Sequence, residues 1–173
     1  IKIKGLMKKT NVKGFTLIEL LIVIAIIAII SGAVFVALDP LTRFKDSRDA
    51  RRWSDVSSIL SAIKVNQVDN KGAYAAAISS EASSTWLMIG TASSGCNANC
   101  ASVLASSDCI DLTELVTRGY LGSIPVSPNE SGSWNSSLTG YAFYRASSTG
   151  AITIKACEVG NATNNPDGIS VSR

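Results

Sequence analysis

The 173-residue chain contains no histidine. It therefore lacks the side chain that most often serves acid–base catalysis and most often ligates metals through nitrogen, which removes triad-type hydrolysis and histidine-held metal centres from consideration. It also has no glycine-rich phosphate loop and no G-x-S-x-G turn, the local patterns that would cradle a nucleotide or raise a nucleophilic serine. Asp108 and Asp111 flank Cys109, but acidic pairs of this kind ordinarily cap helices or lie on the surface. No enzyme is expected, and no cofactor or metal. Paired C-x-x-C spacing is missing too, so the four cysteines point to disulfides in an exported domain rather than to zinc. An excess of positive charge is absent once the N-terminus is set apart. The formal net charge is +3, but the first 14 residues hold five lysines and no acid; the remainder has 11 basic and 13 acidic side chains, a net of −2. Charge thus implies no nucleic-acid partner.

What the chain does have is one long apolar run. Phe15 to Leu38 is 24 residues with a single charge, Glu19. As a helix it would be roughly 36 Å long, enough to cross a hydrocarbon layer of about 30 Å. A charge inside that layer costs about 2.5–3.5 kcal/mol, so Glu19 either sits near enough to the headgroups to stay hydrated, as in an uncleaved signal anchor, or is kept for a purpose. Lys8, Lys9 and Lys13 precede the run and Gly14 abuts it; by the positive-inside rule the N-terminus is cytoplasmic and everything after Leu38 lies across the membrane. A secretory cleavage site would follow the apolar run and carry small residues in an A-x-A-like pattern. Ala25, Ala28, Ser31, Gly32 and Ala33 let neighbouring helices approach closely, although no G-x-x-x-G marks a particular dimer face.

The stretch K-G-F-T-L-I-E from Lys13 to Glu19 resembles the cleavage and methylation motif of type IV pilins and their pseudopilin relatives, with the likeness concentrated between Met7 and Leu38. The resemblance implies that a prepilin peptidase cuts between Gly14 and Phe15, that Phe15 is then N-methylated, and that Glu19 meets the terminal amine of a neighbouring subunit during assembly. Electrostatics agrees with that role, because a carboxylate in apolar surroundings is tolerated when a cation neutralises it. A leader beginning at Met7 would have the more usual length, so Ile1 to Leu6 are expected to precede the natural start.

The implied fold is α+β and pilin-like: a long N-terminal helix whose amphipathic half packs on a small antiparallel sheet. The implied organisation is a cytoplasmic leader over residues 1–14, a membrane or filament-core helix over 15–38, and an extracytoplasmic domain over 39–173. The implied function is that of a structural subunit of a type IV pilus-like filament. It would be a homo-oligomer handled by pilus or secretion assembly machinery, sited first in the cytoplasmic membrane and then in an extracellular pilus or a periplasmic pseudopilus. Two alternatives stand beside it: a type II secretion pseudopilin, and an anchored binding protein that is not assembled.

Beyond the run, Asp39-Pro40 predicts a kink or short break. A second helix is predicted over 41–70, with Trp53, Val56, Leu60 and Ile63 on its apolar face. Its other face carries Arg51–Asp55, Lys45–Asp49, Arg43–Asp46, Asp49–Arg52 and Arg52–Asp55 at pairing distances, read either as a solvated surface or as subunit contacts. Gly72 is the expected C′ residue. Ala73 to Ser107 is rich in small residues, and T-W-L-M-I-G within it reads equally as strand or helix. Asp111 to Arg118 predicts a short helix ended by Gly119.

The run Gly119-Tyr120, Ile124-Pro125, Pro128 again resembles pseudopilin domains. In major pseudopilins of type II secretion a nearby loop binds calcium; here Ser127 stands where an aspartate is usual and only Glu130 is close, so calcium is not expected. Gly140 to Ala146 and Ala151 to Cys157 predict a hairpin, the second strand alternating Ile152, Ile154 and Ala156 with polar positions, and Ile169 to Val171 predicts a last strand. Cys96, Cys100, Cys109 and Cys157 allow three pairings; Cys96–Cys100 with Cys109–Cys157 is the expected one. Asn135 and Asn161 head N-x-S/T sequons, which alone do not imply glycosylation.

Overall fold

The computed structural model describes residues 14–81, 84–97, 100–101, 103 and 109–173. Lys8, Lys9, Lys13 and the rest of the leader before Gly14, together with Asp108, lie outside the described residues. The chain forms two compact units, residues 1–40 and 41–173.

The first unit is built on α1, Leu17–Leu38, in which no residue is buried. It is long and apolar enough to cross a membrane. Thr16 caps its start. Asp39 then adopts a left-handed conformation (φ 37°), and a new helix, α2, Pro40–Asp69, begins at the proline. The break is therefore one residue long. Proline suits the first helical position, where its missing N–H has no intrahelical partner to lose.

In the second unit α2 buries Val56, Ile59, Leu60, Ala62 and Ile63. These pack with Leu87, Phe143 and Ile154 into the main core. Trp53, expected on the apolar face, is 39% exposed, with its indole N–H donating to Asn165 Oδ1 at 3.1 Å. Arg52, expected among solvated charges, is instead completely buried, and Asp49 nearly so. Val56, Leu60 and Ile63 are buried as expected; only at its first position does the face shift, from Trp53 to Arg52, because helical spacing counts apolar side chains and not the partners that a distant loop supplies.

The helix closes with paired bonds from Lys71 N–H to Val68 O (3.2 Å) and Gly72 N–H to Gln67 O (2.8 Å). That is a Schellman arrangement in which Lys71 (φ 58°) occupies C′ and Gly72 (φ 93°) follows it, one place later than expected. Two further helices are single turns, α3, Ala76–Ser80, and α4, Thr113–Thr117. The second has the predicted stop: Gly119 N–H bonds Val116 O and Tyr120 N–H bonds Leu115 O.

Four strands form one antiparallel sheet in sequence order: β1, Trp86–Met88; β2, Tyr141–Arg145; β3, Ile152–Ala156; β4, Ser170–Ser172. The ambiguous T-W-L-M-I-G stretch is thus a strand. Register aligns Leu87, Phe143, Ile154 and Val171 across the sheet, all within or against the main core. Met88 and Ala142, neighbours in register, point to the other face and join a second core with Cys96, Cys100, Val103 and Trp134.

Two disulfides tie that second core, and their pairing differs from the expected one. Cys96 bonds Cys109 and Cys100 bonds Cys157. The reason lies in a parallel bridge between Ile89 and Ile110, reinforced by Cys109 N–H bonding Ala92 O at 3.1 Å. It draws Cys109 to the turn that carries Cys96 and leaves Cys157, at the end of β3, for Cys100.

Candidate processing and assembly site

The residues expected to carry processing and assembly sit together at the start of α1. Gly14 precedes the helix, and a methyl group built on it would meet no described atom within 4 Å. The fold itself does not require glycine there. Phe15 follows, 81% exposed, so the described residues do not cover the peptide bond between the two.

Thr16 and Glu19 then form a reciprocal capping box. The Thr16 backbone N–H and hydroxyl both donate to Glu19 Oε2, at 2.8 and 2.7 Å, and Glu19 N–H donates to Thr16 Oγ1 at 3.3 Å. Two otherwise orphaned N–H groups of the helix start are satisfied in this way. The T-x-x-E spacing is visible in the sequence and is the signal that would have predicted the box. Both bonds to the carboxylate go to Oε2; Oε1 accepts none that the described residues supply. A carboxylate at this end of a helix also lies in the favourable field of the helix dipole.

Of a second polar constellation, only the Asp49–Arg52 pair was anticipated. Arg52 is enclosed by oxygen atoms contributed from three parts of the chain. Nε donates to Ser127 Oγ at 3.1 Å, one terminal nitrogen to Asp49 Oδ1 at 2.7 Å, and the other to Pro128 O at 2.8 Å and Glu158 Oε2 at 3.3 Å. Glu130 Oε2 lies 3.6 Å away. Ser127, the residue standing where an acid is usual, is thus buried and occupied by the guanidinium.

Around this centre, Asp49 accepts from the backbone of Gly160 and Asn161 at 2.8 and 2.9 Å and from the Asn165 side chain at 3.1 Å. Asp46 accepts from Asn161 and Asn164 side chains at 2.7 and 3.0 Å. Glu158 accepts from the Ser131 backbone and hydroxyl and from Gly132 N–H. The arrangement clamps the loops at 127–132 and 158–165 to α2.

The charges are correspondingly held. Burial opposes ionisation of Asp49, but Gly160 and Asn161 N–H groups and the Arg52 guanidinium outweigh it and keep the carboxyl below its ordinary range. Burial likewise opposes ionisation of Glu158. The indole of Trp134 (buried, with its N–H short of a proper hydrogen bond), the Ser131 hydroxyl, and the Gly132 and Ser131 N–H groups reverse that effect and lower its pKa. Asn161, which heads one sequon, is engaged in this clamp, whereas Asn135 is exposed and uses its carbonyl oxygen to accept from Ser137 and Leu138 N–H.

The prokaryotic N-terminal methylation motif matches residues 9–35 of the chain. It is the prepilin signature of type IV pilins and pseudopilins, and it covers Gly14, Phe15 and Glu19. The motif implies processing by prepilin peptidase and a membrane-associated helix, and it marks pilin-type structural proteins rather than enzymes. No curated protein and no solved structure gives a significant match to the chain.

Proposed function

We propose that this chain is a structural subunit of a type IV pilus-like filament. It is made with a cytoplasmic leader ending at Gly14, held by residues 15–38 in the cytoplasmic membrane, with residues 39–173 outside. The peptidase cuts between Gly14 and Phe15, Phe15 is methylated, and the subunit joins others through α1. The observation that carries this reading is a helix of 22 residues with none buried, most of which lies within the matched motif.

Such a helix is stable in lipid, where its apolar surface meets a medium of its own kind. Outside lipid it must be covered, since each exposed Leu or Ile represents about 1.5–3 kcal/mol of unburied side chain. Covering by α1 helices of other subunits meets that requirement and gives a homo-oligomeric helical filament. Glu19 is the one position along α1 where apolar contacts are not enough. Its own capping box uses Oε2; a neighbour's Phe15 amine supplies the cation for the remaining oxygen.

The test is the mass of the mature N-terminal peptide from native membranes or sheared fibres. A chain beginning at Phe15 and heavier by one methyl group is expected. A mature chain that retains Lys13-Gly14 would overturn the reading and leave an anchored, unassembled protein.

A further inference from the structure

The first three turns of α2 present a stripe that the proposed function does not use. At about 100° per residue, Leu41, Phe44, Lys45, Arg48 and Arg51 fall within roughly 120° of one another around the helix. Leu41 is 73% and Phe44 66% exposed, and the Arg48 and Arg51 side chains are 43% and 65% exposed.

The acids near the stripe are occupied: Asp46 and Asp49 lie to one side of it, and Asp55 lies on its face one turn beyond Arg51. Asp46 and Asp49 receive the loop at 160–165, and Asp55 accepts the Tyr141 hydroxyl at 2.6 Å. The remaining pairings are loose: Arg48 to Glu130 at 3.9 Å and Arg51 to Asp55 at 3.8 Å. With the cation exposed and the distance near 4 Å, such pairs are weak. Lys45 pairs with no carboxylate among the described residues. The folding of the loop onto α2 therefore strips the helix of its negative charge on one side and leaves an apolar and cationic stripe on the other.

We infer that this stripe binds anionic phospholipid headgroups at the outer surface of the membrane that holds α1. The chain itself limits the distance. Arg51 is 13 residues beyond Leu38, and Leu41 only three, so Leu41 cannot be farther than about 11 Å from the end of α1 in any arrangement. Two large apolar side chains among three cations are what an interfacial segment needs: the rings and methyl groups enter the headgroup boundary while the cations meet phosphate. A cation near an anionic surface strengthens association roughly fivefold. The proposal rests on insertion of α1 and adds to it a preference for lipid type, which would hold the unassembled subunit in anionic regions of the membrane and be relinquished when it enters a filament.

The experiment uses the full chain reconstituted in phosphatidylcholine vesicles with and without phosphatidylglycerol. The association of spin-labelled phosphatidylglycerol relative to phosphatidylcholine is measured at low and high salt. The wild-type chain is expected to prefer the anionic lipid at low salt, and the variant Lys45→Gln/Arg48→Gln/Arg51→Gln to lose at least about fivefold of that preference. Leader lysines are common to both chains and cancel in the comparison. Retention of both disulfides and an unchanged circular dichroism spectrum establish that the variant is folded; a second variant, Phe44→Ser, keeps the charges and should weaken association without abolishing its salt dependence.

Equal preference in wild type and triple variant overturns the proposal. So does a triple variant that keeps its lipid preference but fails to form filaments, which would assign the stripe to a neighbouring subunit. Carbonate extraction separates the two premises: a chain that washes from the vesicles overturns insertion of α1 and this proposal with it, whereas a chain that stays but shows no lipid preference overturns this proposal alone.

Discussion

Removing the Arg52 guanidinium would leave Asp49 and Glu158 as buried carboxylates with their shared cation gone. Both are under 10% exposed, and breaking a buried ion pair by deleting one partner commonly destabilises by about 3–5 kcal/mol. Arg52→Ala is therefore predicted to lose about that much stability, read from the denaturant midpoint of the full chain in detergent; a loss below about 1 kcal/mol would mean that water replaces the guanidinium. The same residues predict an acid limit. Asp49 and Glu158 titrate lower in the fold than in the unfolded chain, so their stabilisation is complete above the unfolded values and is lost as pH falls through the folded ones. Stability should decline below about pH 4.5 and the decline should be shallower in Asp49→Asn, as thermal unfolding across pH would show. At the other end of the chain, Gly14 has no steric neighbour among the described residues. Gly14→Ala is predicted to fold and insert like the wild type and to accumulate uncleaved, as an anti-leader immunoblot would detect; normal cleavage would mean that the peptidase does not need the missing Cβ.

At the scale of elements, α1 depends on a single cap. Thr16→Ala removes both its hydroxyl bonds and should weaken the helix start by about 1 kcal/mol. It leaves Glu19 Oε2 with the backbone N–H of residue 16 alone and keeps the carboxylate, so if that group serves a neighbour, this variant should assemble far better than Glu19→Ala, which still inserts but loses its carboxylate. Equal filament yields from the two variants, scored by shearing and electron microscopy, would contradict the separate roles argued here. These elements were unequally legible in the sequence. The apolar run, the alternation of Ile152, Ile154 and Ala156, and Gly119 as a helix stop are local signals, each carried by a few adjacent residues, and each has its expected structure. The Glu19 cap was equally local but lay inside a motif already given another meaning. Arg52 was not legible, because its oxygen partners at Ser127, Pro128 and Glu158 lie far along the chain and its neighbours in sequence are charged. The disulfide pairing failed for the same reason: Cys96 and Cys100 are close in sequence, but a bridge from Ile89 to Ile110 decides which cysteine each one meets.

For the whole molecule the decisive contrast is between a unit with no buried residue in its helix and a unit, residues 41–173, that contains both cores and both disulfides. Nothing in those cores comes from α1. Residues 41–173 alone are therefore predicted to fold as a soluble oxidised monomer. Their thermal midpoint should lie within about 4 °C of that of the full chain in detergent, since the loss of α1 should change domain stability by no more than about 1 kcal/mol. An insoluble or molten product would show that the apolar helix completes the core after all. Reduction should be far more damaging than truncation. In the chain-entropy picture, disulfides closing loops with separations of 13 and 57 residues contribute about 3 and 4 kcal/mol, against a total stability of about 5–15 kcal/mol for a domain. A reduced chain should unfold at a midpoint lower by well over 10 °C, on the scale of about 2–4 °C per kcal/mol. If it does, the fold is secured only where disulfides persist, outside the reducing cytoplasm. The outer domain would then have to fold after crossing the membrane and while α1 still holds it there, so that assembly draws on subunits already folded.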